Sequence, residues 1–498
     1  MELEFQSKPC SCLTAAVRQV RSAELTQEVR LTDGMPDIGR VIACWGQPLV
    51  RSKEWLSDQI TVSGGVMVWI LYLPEDGTQP RSMDTWIPFQ LRWELDETGH
   101  DGTIRISPSL RYVDGRTISA RKMMVRASVA AIGEGLRHHS VEIYSAEEIP
   151  EDVQLLRNTY PMRLPVEAEE KTFQIDEELS VPVGAAPVER LLAYMLQPII
   201  HEKRMAGDKL ILRGSGQLHV IYRCPEGKVH ALDLEVPISQ YAQLDNTYSA
   251  DAQADALMAL TSLELDHNEQ QLRLKCGMVA QYMITDRIVA ELIEDAYSPR
   301  RSVQIHQEQL QIPAIMEQRT ETVPIRQQLP GVDGEIVDVA LWPDYPRQSK
   351  TQDQLVLELP GQFQILSYGQ DGSLQSSAGH WESQMQLPAD DNSRIDIFLQ
   401  PGTSVQISDT PSPYFAAQYG MQLQTTTDRP MEMVTALGLS DLEEQNPAKP
   451  ALILCRPGGE SLWDVAKRCG SRVCDIRQAN GLDGEPDQNK ILLIPVSR

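Results

Sequence analysis

Positive charge is scarce in this sequence: 45 lysines and arginines stand against 70 aspartates and glutamates, a formal net charge of −25. A surface of that sign repels phosphate backbones and anionic headgroups, which argues against nucleic acid and acidic membranes as partners. No apolar run approaches the roughly eighteen residues that a membrane-spanning helix needs. The opening MELEFQSKPCSCLTAAVRQV has no basic start followed by an apolar stretch. No secretory signal is read there, and the chain is expected to stay in the cytosol. Cysteine is sparse, with eight in 498 residues and a single close pair, Cys10-x-Cys12. That usage fits a reducing compartment and small buried apolar side chains. Cys10-x-Cys12 and His138-His139 lack the further ligands that a metal site requires, so no metal is expected.

Catalytic signatures are missing as well. There is no Gly-x-Ser-x-Gly and no His-Glu-x-x-His. Gly214-x-Gly216 sits inside a strand-like alternation with no helix after it, so it is not a phosphate loop. Asp58, Asp208 and Asp353 recur at one repeat position and read as a shared turn. Neither an enzyme nor a cofactor is expected.

What the chain does contain is an internal repeat. The segment Gly46 to Gly77 returns at Leu196 to Gly227 with a constant offset of 150. Gln47, Pro48, Lys53, Asp58, Gly64, Tyr72 and Gly77 become Gln197, Pro198, Lys203, Asp208, Gly214, Tyr222 and Gly227. A weaker copy runs from Trp342 to Gly372, where Pro198, Asp208, Gly216, Gln217 and Gly227 return as Pro343, Asp353, Gly361, Gln362 and Gly372. Apolar alternation such as Leu210, Leu212 predicts a strand, the glycines after it a bulge or bend, and Leu218, Val220, Tyr222 the next strand. The closing Asp-Gly or Glu-Gly predicts a hairpin turn, and a further turn is predicted at Asp114-Gly115. Length and repeat together predict a mainly β chain of three tandem β-rich units, 1–163, 164–313 and 314–440. A polar linker, 441–450, then leads to a small module, 451–498.

TDGMPDIGRVIACWGQPLVRSKEW and ARKMMVRASV in the first unit resemble the SPOCS domain of spore-coat proteins from endospore-forming Firmicutes. The matching parts are Pro36-Asp37-Ile38 and Arg121-Lys122, and the other two units join through the repeat.

The tail carries its own signals. Ser461 with Asp464 makes a capping-box pattern, and Leu462, Val465, Ala466 and Cys469 form one helical face. Gly470 suits a left-handed stop. Ser471 is read as the cap of a second helix with Val473, Ile476 and Ala479 on its inner face, ended by Asn480-Gly481. ALILCR and KILLIPV read as flanking strands, giving β-α-α-β. Trp463 is read as core packing. Lys467, Arg468, Arg472 and Arg477 make the module locally basic, seven cations against six anions over 451–498. That balance suits an acidic protein partner or an ordinary solvated face.

This order, with Gly459-Glu460-Ser461-Leu462-Trp463, Ala479-Asn480-Gly481-Leu482 and Leu493-Ile494-Pro495, resembles a LysM domain. The resemblance implies a groove lined by Gly458, Gly459, Glu460, Ser461 and Leu462 on one side and Asn480, Gly481, Leu482 and Asp483 on the other. LysM grooves usually take N-acetylglucosamine polymers such as peptidoglycan. SPOCS-like units with a terminal LysM resemble the SipL-type spore-assembly proteins of Clostridia. That resemblance implies a scaffold in the mother-cell cytosol at the forespore surface. Its LysM module would dock on the morphogenetic ATPase stage IV sporulation protein A, and its β units would meet other coat proteins. A glycan binder of cortex or cell wall is the alternative.

Overall fold

The computed structural model describes all residues except 1, 78, 97–100, 311, 313, 330–333, 352–353, 389–392, 403–404, 409–412, 428–429, 443–449, 485–490 and 497–498. After β1 (Glu2–Glu4), six strands follow: β2 (Gln6–Arg30), β3 (Ile38–Trp55), β4 (Gln59–Pro74), β5 (Arg81–Glu94), β6 (Thr103–Ser119) and β7 (Lys122–Ser145). The pattern returns as β8 (Gln154–Ser180), β9 (Arg190–Ala206), β10 (Lys209–Arg223), β11 (Val229–Gln243), β12 (Gln253–His267) and β13 (Gln271–Tyr297). The third set is β14 (Val303–Leu310), β15 (Ala314–Gln328), β16 (Ile336–Pro343), β17 (Arg347–Thr351), β18 (Gln354–Tyr368), β19 (Leu374–Pro388), β20 (Ser393–Gly402), β21 (Gln406–Ser408), β22 (Tyr414–Thr427) and β23 (Met431–Leu439). The tail comprises β24 (Leu452–Cys455), α1 (Leu462–Cys469), α2 (Val473–Asn480) and β25 (Leu492–Pro495). The protein is mainly β, and among the described residues the two short helices lie in the tail.

Each set makes two antiparallel sheets of the same kind. In the first, β2-β7-β6 faces β3-β4-β5; in the second, β8-β13-β12 accompanies β9-β10-β11; in the third, β15-β22-β20 accompanies β16-β18-β19. Alternation explains the facing. Along β4, Val66, Val68, Ile70 and Tyr72 enter the first core. Trp69 and Leu71 on the opposite face enter a core shared with Leu196, Leu218 and Val220 of the second set. A strand buried on both sides reads as an almost continuous apolar run, and Val66–Leu73 is one.

A bulge accounts for part of the repeat signal. β3 carries one extra residue, Arg51, between Val50 and Ser52, and β9 carries one, His201, between Ile200 and Glu202. Opposite them stand Gly64 and Gly214, where a Cβ would lie 2.2 Å from the Leu49 oxygen and 2.0 Å from the Ile199 oxygen. The bend expected at these glycines is therefore present in the partner strand, but β10 does not break: Leu210 to Tyr222 is one strand, not two. The Asp114-Gly115 turn is also corrected. Both residues lie within β6, paired with Arg126 and Val125, and the chain reverses at Ala120-Arg121. Gly115 answers a close approach instead, since a Cβ there would sit 2.8 Å from the Cys44 sulfur. The expected turns at Gly77, Gly227 and Gly372 are present, each glycine with positive φ. Asp58 and Asp208 do lie in the turns before β4 and β10, where their carbonyls accept from the N–H of Leu95 and Leu244 just after β5 and β11; Asp353 lies outside the described residues.

The outer strands of two sets are long. The far ends of β2–β7 and β8–β13, together with β14, β23 and β1, enclose a second apolar region with Phe5, Met162, Leu292, Leu310, Met433 and Leu437. This stem ties the first strand of the chain to the last strand of the third set. Between β22 and β23 stands Pro430, which has no N–H to continue a ladder.

Candidate functional site

β24 and β25 pair antiparallel, and the helices cover one face with Leu462, Val465, Ala466 and Ile476 fully buried. The Ser461 hydroxyl accepts from the Asp464 N–H at 3.1 Å and donates to its carboxylate at 2.6 Å. Gly470 ends α1 at φ 64°, and Gly481 ends α2 at φ 61°. Two expectations for α2 are corrected. Ser471 does not cap it: the N-cap is Arg472, and the Ser471 hydroxyl donates to the Pro495 carbonyl, binding the helices to β25. Ala479 is exposed, so Ile476 alone is fully buried from that helix.

The nine residues expected to line a groove divide by what they touch. Gly458 and Gly459 have φ of 61° and 100°, a tight turn that other residues would strain. The Glu460 carboxylate receives Arg468 at 2.7 Å. Leu462 is wholly buried and supports its lip from beneath. Asn480 is committed to backbone: its amide donates to the carbonyls of Ile476 and Leu493, and its oxygen accepts from the Leu493 N–H at 2.8 Å. Gly481 and Asp483 are exposed and Leu482 is half-buried. The side chains left facing outward are therefore Glu460, Ser461, Leu482 and Asp483.

The module is clamped to the stem, which the sequence did not disclose. The Trp463 ring meets Tyr297 of β13 edge-on, with centroids 4.7 Å apart. Its indole N–H donates to Asp295 at 2.8 Å, and Lys467 pairs with the same carboxylate at 2.8 Å. The Tyr297 hydroxyl donates to the Ser471 carbonyl at 2.9 Å, and burial pushes that phenol up, well above its usual range. Trp463 thus packs, as expected, but between module and body. The one available signal was that an indole N–H on a small module needs a partner. Three of the four cations singled out are used within the chain: Lys467 with Asp295, Arg468 with Glu460 and Arg472 with Asp475.

A different chemistry joins the three sets. Glutamine side chains plug strand edges: Gln281 of β13 receives the Ile106 N–H at 2.8 Å and donates to the Ile106 carbonyl at 2.9 Å. Gln364 of β18 does the same for Cys44 of β3, and Gln47 of β3 receives the Leu196 N–H at 2.9 Å. Edge groups that would invite another chain are satisfied inside. Beside them lies a buried ion network. Arg105 is fully buried and holds Glu134 at 2.7 Å and Asp255 of the second set; Arg18 holds Glu134 at 2.7 Å and Asp396 of the third at 2.6 Å. Burial alone would push Asp255 up, but Arg105 and Lys203 hold it down at about 2.

Pro36-Asp37-Ile38 and Arg121-Lys122 meet in space. Arg121 donates to the Met35 and Thr32 carbonyls and to Asp37, each at 2.8–3.0 Å, stapling the loop before β3 onto the β6–β7 turn. Lys122 pairs with Glu28 at 3.1 Å. Cys12 is buried in the stem, and burial raises its thiol to about 11. Among the described residues no His, Cys, Asp and Glu cluster could hold a metal ion. No helix among them is long and apolar enough to cross a membrane.

Residues 187–266, which take in β9, β10 and β11 and nearly all of β12, match the family model described as SipL, SPOCS domain. No curated protein and no solved structure matches the chain.

Proposed function

We propose that the chain is a non-enzymatic sporulation scaffold. Its LysM-like tail docks on a coat morphogenetic ATPase resembling stage IV sporulation protein A, at the forespore surface in the mother cell. The match of residues 187–266 to the SipL SPOCS domain carries the sporulation reading. The docking reading rests on the β-α-α-β tail, whose outward lips present Glu460, Ser461, Leu482 and Asp483 while its rear is held by Trp463 and Lys467. A fixed recognition head on an interlocked β body suits an adaptor, because little conformational freedom is lost on binding.

The test uses the purified full chain against the ATPase and against N-acetylglucosamine oligomers. Saturable binding to the ATPase, weakened at least tenfold by Glu460→Lys or Leu482→Glu, supports the adaptor. Binding to the oligomers alone, lost in the same variants, replaces it with a glycan receptor of cortex or wall.

A further inference from the structure

At the junction of the three sets lies a cavity of about 450 Å³, within the range of small-molecule sites. Its wall is built from one repeat position used three times: residues 46–48 of β3, 196–198 of β9 and 341–343 of β16. Each of these strands is the edge of its sheet. Each carries a proline here (Pro48, Pro198 and Pro343), so that edge lacks a donor at that point. The three edges cannot knit together, and the space between them stays open. The Gln-Pro recurrence of the sequence therefore marks a cavity wall.

The charge of the lining is one-sided. Among the described lining residues there is no lysine or arginine, and the only ionisable side chains besides the Tyr419 phenol are His219, Asp233 and Asp338. His219 lies between the two carboxylates, 2.6 Å from Asp233 and 3.0 Å from Asp338. Asp338 also accepts the Trp45 indole N–H at 2.9 Å. One imidazolium against two carboxylates leaves a net negative charge. Asp338 has both oxygens engaged, whereas Asp233 uses one and is half exposed. The rest of the wall carries no charge: it combines apolar and aromatic residues, Leu110, Met258, Trp342 and Tyr419 among them, with glutamines and serines. Aromatic faces attract cations, and a net negative wall repels anions.

We propose that this cavity binds an organic cation with an apolar body, the ammonium end at Asp233 and the hydrocarbon against the prolines and Trp342. The proposal goes beyond the scaffold reading and does not depend on it, since the cavity is remote in sequence from the tail.

The probe is hexylammonium, titrated into the full chain by calorimetry. Hexanoate, of the same length and opposite charge, and ammonium chloride, with no hydrocarbon, serve as comparisons at equal ionic strength. The expected result is one saturable site for hexylammonium and none for the other two. Asp233→Asn should weaken it at least tenfold. Gln197→Trp, at an exposed lining position, adds bulk without removing a buried contact and should abolish binding even if the first variant does not fold. Equal binding of hexanoate, equal binding of ammonium chloride, or hexylammonium binding unchanged in Gln197→Trp overturns the proposal.

Discussion

Two joints hold this protein together, and they use different physics. The joint between the repeats is buried and ionic: Arg105, Glu134, Arg18, Asp255 and Asp396 share one network, flanked by glutamines that cap strand edges. The joint between body and tail is a small contact: one aromatic pair, one shared carboxylate and the Tyr297–Ser471 hydrogen bond. Buried ions cost several kcal/mol each to desolvate, and only full pairing offsets that cost. Such a network gives register and intolerance of error. An aromatic contact at a rim gives position with little penalty for failure. The repeats are thus built as one body, and the tail is attached to it.

The comparison breaks most sharply at Arg105. Replacing it with alanine leaves buried Glu134 to Arg18 alone and buried Asp255 to the longer Lys203 contact alone, a loss of up to about 3–5 kcal/mol. A calorimetric melt of Arg105→Ala should show the main transition lowered and split, because the repeats no longer share a network. A single transition at the original temperature would show that the network adds nothing to their coupling.

The second effect is confined to the tail. Val465 is fully buried between the helices and the strand pair. Val465→Asp places a charge in that core and should unfold the module, worth several kcal/mol locally. The β body should keep its melting temperature. Loss of protection in hydrogen exchange over 451–496, with the body unchanged, is the reading that fits; a destabilised body would mean that the tail is part of its core.

How much of this could be read from sequence follows the same division. The repeat was legible because a shared bulge forces glycine at both Gly64 and Gly214, and each repeat needs its turn glycine at Gly77, Gly227 and Gly372. Gly115 misled, because a glycine demanded by the Cys44 sulfur looks the same in sequence as one demanded by a turn. The division of β10 into two strands failed for a similar reason: Gly214 and Gly216 accommodate close neighbours and do not end the strand. In the tail, the Ser461 cap and the Gly470 stop are local chemistry and were visible. The Trp463–Asp295 bond joins residues 168 apart, and nothing in either segment names the other. Ser471 was read as a cap because its sequence neighbours a helix, while its hydroxyl is taken by Pro495.

A third prediction concerns pH at the repeat junction. Burial alone would push His219 down, but Asp338 of the third set and Asp233 raise it to about 10, against an unfolded value near 6.5. A raised histidine stabilises the fold fully below pH 6.5, and the contribution fades as pH climbs towards 10. The melting temperature should therefore fall by a few degrees between pH 6.5 and pH 10. Other groups titrate in that interval, so the measurement is the difference from His219→Asn, which should show a shallower fall. Parallel profiles for the two proteins would remove the imidazolium from the junction.

The smallest effect sharpens the contrast most. Trp463→Ala removes the edge-on contact with Tyr297 and the bond to Asp295, a loss of about 1–2 kcal/mol at a half-buried site. What remains is the Lys467–Asp295 pair, worth about 1 kcal/mol or less at an exposed site, and the Tyr297–Ser471 hydrogen bond, worth about 1 kcal/mol, which together are too weak to hold the module. The module should stay folded on its own core of Leu462, Val465, Ala466 and Ile476 but detach from the stem. Amide relaxation would then show 451–496 tumbling faster than the body, and a larger radius of gyration should appear in small-angle scattering. Adding salt should push the wild-type chain the same way, though less far, because only the Lys467–Asp295 part of the contact is screened. If the variant tumbles as one particle with the body, the tail is held by more than this aromatic hinge point. The two joints would then differ in size and not in kind.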